Sequence, residues 1–141
     1  MSSLKPFVLC LFLPLLAWAE NDPLRDALQE FMEFADYSEG AITAEQLNNL
    51  GLHTFLLIDT RMADQFATFH LPGAVHIEWR EVIARQDEIP IDRPVLLYCD
   101  TGLLSSKAHF ALRLLGYDKV KVLFGGLNGW KLHQGLRTTA P

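Results

Sequence analysis

Cysteine is nearly absent from this chain. Cys10 and Cys99 are the two in 141 residues, so at most one disulfide can form and a disulfide-stapled scaffold is excluded. Positive charge is also short: 12 Lys+Arg stand against 17 Asp+Glu, a net charge of -5 at pH 7. The basic stripes with which proteins neutralise nucleic-acid phosphates therefore have little to draw on, and a nucleic-acid partner is not expected. Glycine and proline, at 9 and 7, are too few for a collagen-like or low-complexity chain, while 50% hydrophobic residues are too many for a disordered one. No repeat or long linker divides the sequence, which has the length of one domain with a single core.

A membrane-spanning run is missing as well. Lys5 precedes the apolar run from Phe7 to Leu16, and the small-x-small pattern Ala17-Trp18-Ala19 follows, the layout of a secretory signal peptide cleaved before Glu20. The uncharged stretch from Pro6 to Ala19 is shorter than the roughly 20 residues of a spanning helix, and Pro14 interrupts it. The expected organisation is a signal peptide at 1–19, a helical extension at 20–40 and one folded domain at 41–141. It carries with it a periplasmic location and no membrane association after cleavage. Removing 19 of 141 residues leaves 122, with Cys99 as the one cysteine. In an oxidising compartment such a thiol is either buried and inert or kept for its chemistry.

The remaining chain alternates between two periodicities. Pro23 to Tyr37 places Leu24, Ala27, Leu28, Phe31, Met32, Phe34 and Ala35 at helical spacing behind an Asp22-Pro23 start. Thr43, with Gln46 three residues on, opens a capping box for a short helix ending near Gly51. Phe55-Leu56-Leu57-Ile58, Val95-Leu96-Leu97-Tyr98 and Val120 to Phe124 are too short and too apolar for amphipathic helices, and are predicted as strands buried on both faces. Helices are predicted between and after them at Ala63 to Phe69, Arg80 to Arg85, Ser105 to Leu115 and Leu127 to His133. This alternation predicts an α/β fold, a central mostly parallel sheet flanked by helices on both faces, with sites at the carboxyl ends of its strands. Asp59, Cys99 and Gly125 all fall at such ends.

The strand ending at Cys99 runs into Asp100-Thr101-Gly102-Leu103-Leu104 and then a helix whose apolar face is Ala108, Ala111, Leu112 and Leu115. A tight glycine-containing loop leading into a helix amino end offers unpaired backbone N–H groups and the positive end of a dipole, a setting that favours an anion such as a thiolate. Ser105 and Ser106 could cap that helix or donate a hydroxyl toward the sulfur. Phosphatases that use such a cysteine loop need an arginine after five intervening residues to clamp the phosphate. Ser105 stands at that position instead.

Three stretches together resemble the rhodanese domains: Leu57 to Arg61 with His70-Leu71-Pro72-Gly73-Ala74, the loop opening at Cys99, and Gly125-Gly126-Leu127-Asn128-Gly129-Trp130. The resemblance implies a rhodanese-like α/β fold and a cysteine that accepts sulfane sulfur as a persulfide and passes it to a thiophilic acceptor. It implies that Cys99 is the sulfur carrier and that Asp100, Thr101, Gly102, Leu103, Leu104 and Ser105 form the substrate-binding loop. The implied donor is thiosulfate, polysulfide or a protein persulfide, and the implied acceptor is cyanide or an external thiol, with no cofactor. Many members carry a basic residue near the position of Leu104. Here the nearest cations are Lys107 and His109, with Lys107 the expected supporting charge. An apolar loop implies weak thiosulfate binding and a donor that is apolar or protein-bound.

Asp59 and Arg61 match a D-x-R pattern and read as a strand-end carboxylate and a structural ion pair. A glutamate that usually follows is replaced by Gln65 beside Asp64, leaving Arg61 to pair with Asp64 or with no charge. His70 reads as a turn or core histidine, and the five scattered histidines show no metal-ligand spacing. Gly125 and Gly126 are expected to allow close backbone approach near the loop, with Trp130 packed beneath. The competing function is a non-catalytic binding module or sulfur carrier in which the fold persists and Cys99 takes no part in catalysis.

Overall fold

The computed structural model describes residues 22–36 and 40–135, so the expected signal peptide lies outside the described residues. In chain order the elements are α1 (Pro23–Phe34), β1 (Ala41–Ile42), α2 (Ala44–Leu50), β2 (Leu56–Asp59), α3 (Ala63–Thr68), β3 (Val75–His76), β4 (Val95–Tyr98), α4 (Leu103–Leu114), β5 (Val120–Leu123) and α5 (Gly126–His133). The strands form one five-stranded sheet in the order β1-β5-β4-β2-β3, and every pairing is parallel. All carboxyl ends therefore lie along one edge, which brings Asp59, Cys99 and Phe124 to the same end of the sheet. The α/β expectation is met, with β4 at the centre.

Alternation along β4 divides the core. Val95 and Leu97 point to one face, with Ile58, Ala108 and Leu112, so α4 covers that side. Leu96 and Tyr98 point to the other, with Leu47, Leu57, Leu123 and Leu127, so α2 and α5 cover it. A strand buried on both faces needs such a continuous apolar run. The Thr43 capping box forms as expected: the Thr43 hydroxyl accepts from the Gln46 amide at 3.1 Å and the Gln46 side chain accepts from the Thr43 amide at 2.8 Å.

Three expectations are corrected. Arg80 to Arg85 forms turns instead of a helix, followed by a 3-10 turn at Gln86–Glu88. Six residues containing β-branched Val82 and Ile83 cannot sustain a helical nucleus, and Val82 is drawn fully into the core. Second, α4 begins at Leu103 rather than Ser105. Gly102 adopts a left-handed backbone (φ 97°), which turns the chain into the helix two residues early. Third, two short strands, β1 and β3, escaped the sequence pattern because two residues carry no periodicity.

The extension helix α1 starts as read, with the Asp22 carboxylate accepting from the Leu24 amide at 3.0 Å. It rests lightly on the domain, through an edge-to-face contact of Phe31 with Phe110 of α4, and has no buried residue. Among the described residues no helix is long and apolar enough to cross a membrane.

Tyr98 ties the strand edge together. Its hydroxyl oxygen accepts from the buried Leu71 amide at 3.0 Å. Burial, against the opposing effect of that hydrogen bond, pushes the phenol above its ordinary pKa, so it stays protonated through the neutral range. Tyr98→Phe strands the Leu71 N–H and is expected to lower stability by about 1–3 kcal/mol. Urea unfolding with a lowered midpoint and an unchanged slope would show this; an unchanged midpoint would show that the amide finds another partner.

Candidate active site at the carboxyl end of the sheet

Cys99 leaves β4 at the sheet's carboxyl edge and is only 2% exposed. Its Sγ accepts from the Gly102 amide at 3.2 Å and from the Ser105 hydroxyl at 3.6 Å. The fully buried Ser105 hydroxyl also lies 3.0 Å from the Gly102 carbonyl, which the Ser106 hydroxyl reaches at 2.7 Å. The single Ser105 hydroxyl proton is thus placed between the Gly102 carbonyl and Sγ, while Ser106 donates to the carbonyl alone. No side chain caps α4. The amides of Leu103, Leu104 and Ser105 have no partner within the helix, as at any helix start. They form the positive end of the α4 dipole beside the sulfur.

Contact with α5 holds the loop from behind. The Leu127 amide donates to the Cys99 carbonyl at 2.8 Å and the Asn128 amide to the Asp100 carbonyl at 2.9 Å. A Cβ on Gly126 would fall 2.5 Å from the Cys99 oxygen and 2.6 Å from the Asp100 carbonyl carbon, and Gly126 has φ +59°. The close approach expected of the glycine pair is therefore made by Gly126. Trp130 packs against the adjoining core cluster.

On the opposite side sits an ion-pair network. Asp59 is fully buried and Arg61 is 6% exposed. The Arg61 Nη2 lies 2.6 Å from Asp59 and also donates to the Phe69 carbonyl at 2.6 Å, while its Nη1 donates to Asp100 at 3.0 Å. Burial works against the guanidinium, but the hydrogen bond and charge of Asp59, with the charge of Asp100, outweigh it and raise its pKa. Arg61 thus pairs with Asp59 and Asp100, not with Asp64 or with no charge, which corrects the sequence expectation. Asp100 was out of reach of the D-x-R reading because it lies on another strand's end.

The structure also explains Gln65. Its side-chain oxygen accepts from the Met62 amide at 3.2 Å and its nitrogen donates to Asp100 at 3.0 Å. A glutamate at this position would set a second carboxylate against Asp100, whereas an amide can donate to it. Gln65 was noticed in the sequence only as a departure, and its link to Asp100 needed the fold.

The other expected residues divide. Asp100, Gly102 and Ser105 converge on Cys99 or its frame, and Thr101 is exposed on the loop. Leu103 and Leu104 belong to the first turn of α4, with Leu103 66% exposed. Lys107 does not join the sulfur's hydrogen-bond partners; its ammonium stands over the Trp79 ring at 5.0 Å. His70 is an exposed turn residue, stacked on Phe66 and bonded through Nδ1 to the Phe66 carbonyl at 2.9 Å.

A parallel sheet whose central strand ends in a cysteine looped over a helix amino end matches a known family. The rhodanese-like domain model matches residues 41–133, and the chain belongs to that family. It is 37% identical over 86 residues to a sulfurtransferase of Allochromatium vinosum, covering 61% of this chain and 79% of that protein. It is 33% identical over 76 residues to the thiosulfate sulfurtransferase GlpE of Actinobacillus succinogenes, covering 54% and 68%. Among solved structures, the rhodanese-like domain of an Anabaena protein superposes with a TM-score of 0.63 at 25% identity, over 73% of this chain and 86% of that one.

Two substitutions test the frame. Arg61→Ala leaves the buried Asp59 carboxylate without its partner and is expected to cost about 3–5 kcal/mol, measured by chemical unfolding; a loss under about 1 kcal/mol, the range of an exposed pair, would contradict a buried network. Gly126→Ala forces the loop carbonyls away from α5 and is expected to cost about 1–3 kcal/mol. Faster alkylation of Cys99 by iodoacetamide should accompany it, since the loop opens.

Proposed function

We propose that the protein is a sulfurtransferase that carries sulfane sulfur as a persulfide on Cys99. The observation that supports this reading is the position of Sγ, 3.2 Å from the Gly102 amide at the uncapped amino end of α4. Family membership and relatives named as sulfurtransferases point the same way. A phosphoryl substrate fits less well, since Ser105 replaces the arginine a phosphate clamp needs.

In the first half-reaction the Cys99 thiolate attacks the sulfane sulfur of thiosulfate, a polysulfide or a protein persulfide. A new S–S bond forms to Cys99, the donor's S–S bond breaks, and its electron pair leaves with sulfite or the shortened donor. Loop amides from Asp100 to Ser105 and the Ser105 hydroxyl stabilise the charge on the outer sulfur. Asp59 and Arg61 act as positioning residues by holding Asp100. In the second half-reaction, cyanide or an external thiolate attacks the outer sulfur and Cys99 leaves as the thiolate. Neither step requires a cofactor. On the pattern of residues 5–19 we also propose export, with the mature chain beginning at Glu20 in the periplasm.

Treatment with polysulfide followed by intact-mass measurement should add one sulfur atom to the wild type, removed by cyanide as thiocyanate. Cys99→Ser should gain none. A wild type that acquires no cyanide-labile sulfur from thiosulfate, polysulfide or an organic persulfide would overturn the reading.

A further inference from the structure

A cleft of about 420 Å³ opens beside the Cys99 loop, walled by Gly102, Leu103, Ser106, Val122, Phe124 and Gly125. This is a volume suited to a small organic ligand. Gly102 serves both sites, since the amide that donates to Sγ belongs to the residue that forms part of the cleft wall. Among the described residues no Asp, Glu, Lys or Arg lines the cleft, and His109 is the titratable side chain in its wall. At its mouth Leu103 and Phe124 are 66% and 70% exposed, two large apolar side chains, one opening α4 and one just past the end of β5.

Among the described residues, the side-chain charges beside the loop are already engaged. The Asp100 side chain is 40% exposed, with its oxygens bonded to Arg61 and Gln65, whereas Arg61 is 6% exposed and engaged by Asp59 as well. The ammonium of Lys107, one helical turn beyond Leu103, stands over Trp79. A dianion approaching Cys99 thus meets a half-buried carboxylate and an apolar rim, and among the described residues the guanidinium beside the loop, Arg61, is already committed.

We propose that this cleft seats the uncharged, apolar substituent of an organic thiol or persulfide, and that such compounds, rather than dianionic thiosulfate, are the preferred sulfur partners of Cys99. The inference rests on the sulfurtransferase reading and names its substrate class. As acceptor, the thiolate RS⁻ attacks the outer sulfur of the Cys99 persulfide. The bond between the two sulfurs of the persulfide breaks, its electron pair returns to Cys99 as thiolate, and RSSH departs carrying the proton of the transferred sulfur. The donor step is the reverse, with no oxidant or reductant consumed. Leu103 and Phe124 act here as specificity residues that touch the substituent and not the reacting sulfur.

The test uses the full mature protein loaded with inorganic polysulfide and discharged by benzyl mercaptan or by 2-mercaptoethanesulfonate, at equal thiolate concentration. Wild type is expected to transfer about tenfold faster to the benzyl thiol, the scale of burying part of an aromatic ring. Phe124→Ala should bring that ratio toward one, and Leu103→Arg should lower it by raising the sulfonate rate. Equal wild-type rates, or a preference that survives both substitutions, would overturn the inference while leaving sulfur transfer intact. Should polysulfide load poorly, an organic persulfide loads the protein instead; a wild type that neither these nor thiosulfate can load would overturn the sulfurtransferase reading itself, and the inference with it.

Discussion

The carbonyl oxygens of Cys99 and Asp100 are held by the amides of Leu127 and Asn128, and this contact decides how the rest of the loop can point. With those carbonyls turned toward α5, the following chain turns through Gly102 directly into α4, and the Gly102 amide is left facing the sulfur. Glycine at 126 is the condition for the contact, since any Cβ there would overlap the loop backbone. Leu127, the next residue, is fully buried in the core between α5 and the sheet. The sulfur cradle therefore inherits its rigidity from the core instead of from bonds within the loop.

A second restraint acts across the loop. Arg61 joins the ends of β2 and β4 by bonding Asp59 and Asp100, and it reaches the Phe69 carbonyl beyond α3. Gln65 takes the remaining oxygen of Asp100. The guanidinium is consumed in this frame, which has a chemical result at the mouth. Positive character near Cys99 comes from backbone amides and the α4 dipole, both short-ranged and suited to a single sulfur-borne charge. A persulfide fits such a field better than a bulky dianion does.

Much of the fold was legible because the buried strands are unbroken apolar runs and the helix starts carry Asp22 and the Thr43–Gln46 pair. The position of Cys99 at a strand end followed from the same pattern. What sequence could not show were relations between strand ends: Arg61 with Asp100, Gln65 with Asp100, and Gly126 under the Cys99 carbonyl join residues 39, 35 and 27 apart. The early start of α4 was hidden for a local reason. Serine is a strong cap residue, so Ser105 and Ser106 drew the predicted helix start to themselves, whereas a left-handed Gly102 had already turned the chain. Lys107 was expected near the sulfur on sequence proximity, but the helix directs it to Trp79.

The central claim is that amides at the start of α4 hold a sulfur atom carried by Cys99. A crystal structure of the polysulfide-treated protein tests it most directly. The account predicts a second sulfur bonded to Cys99 Sγ, within hydrogen-bonding distance of the amides between Gly102 and Ser105, with the Leu127 and Asn128 contacts unchanged. A Cys99 that bears no second sulfur, or one whose outer sulfur turns away from those amides, would contradict it.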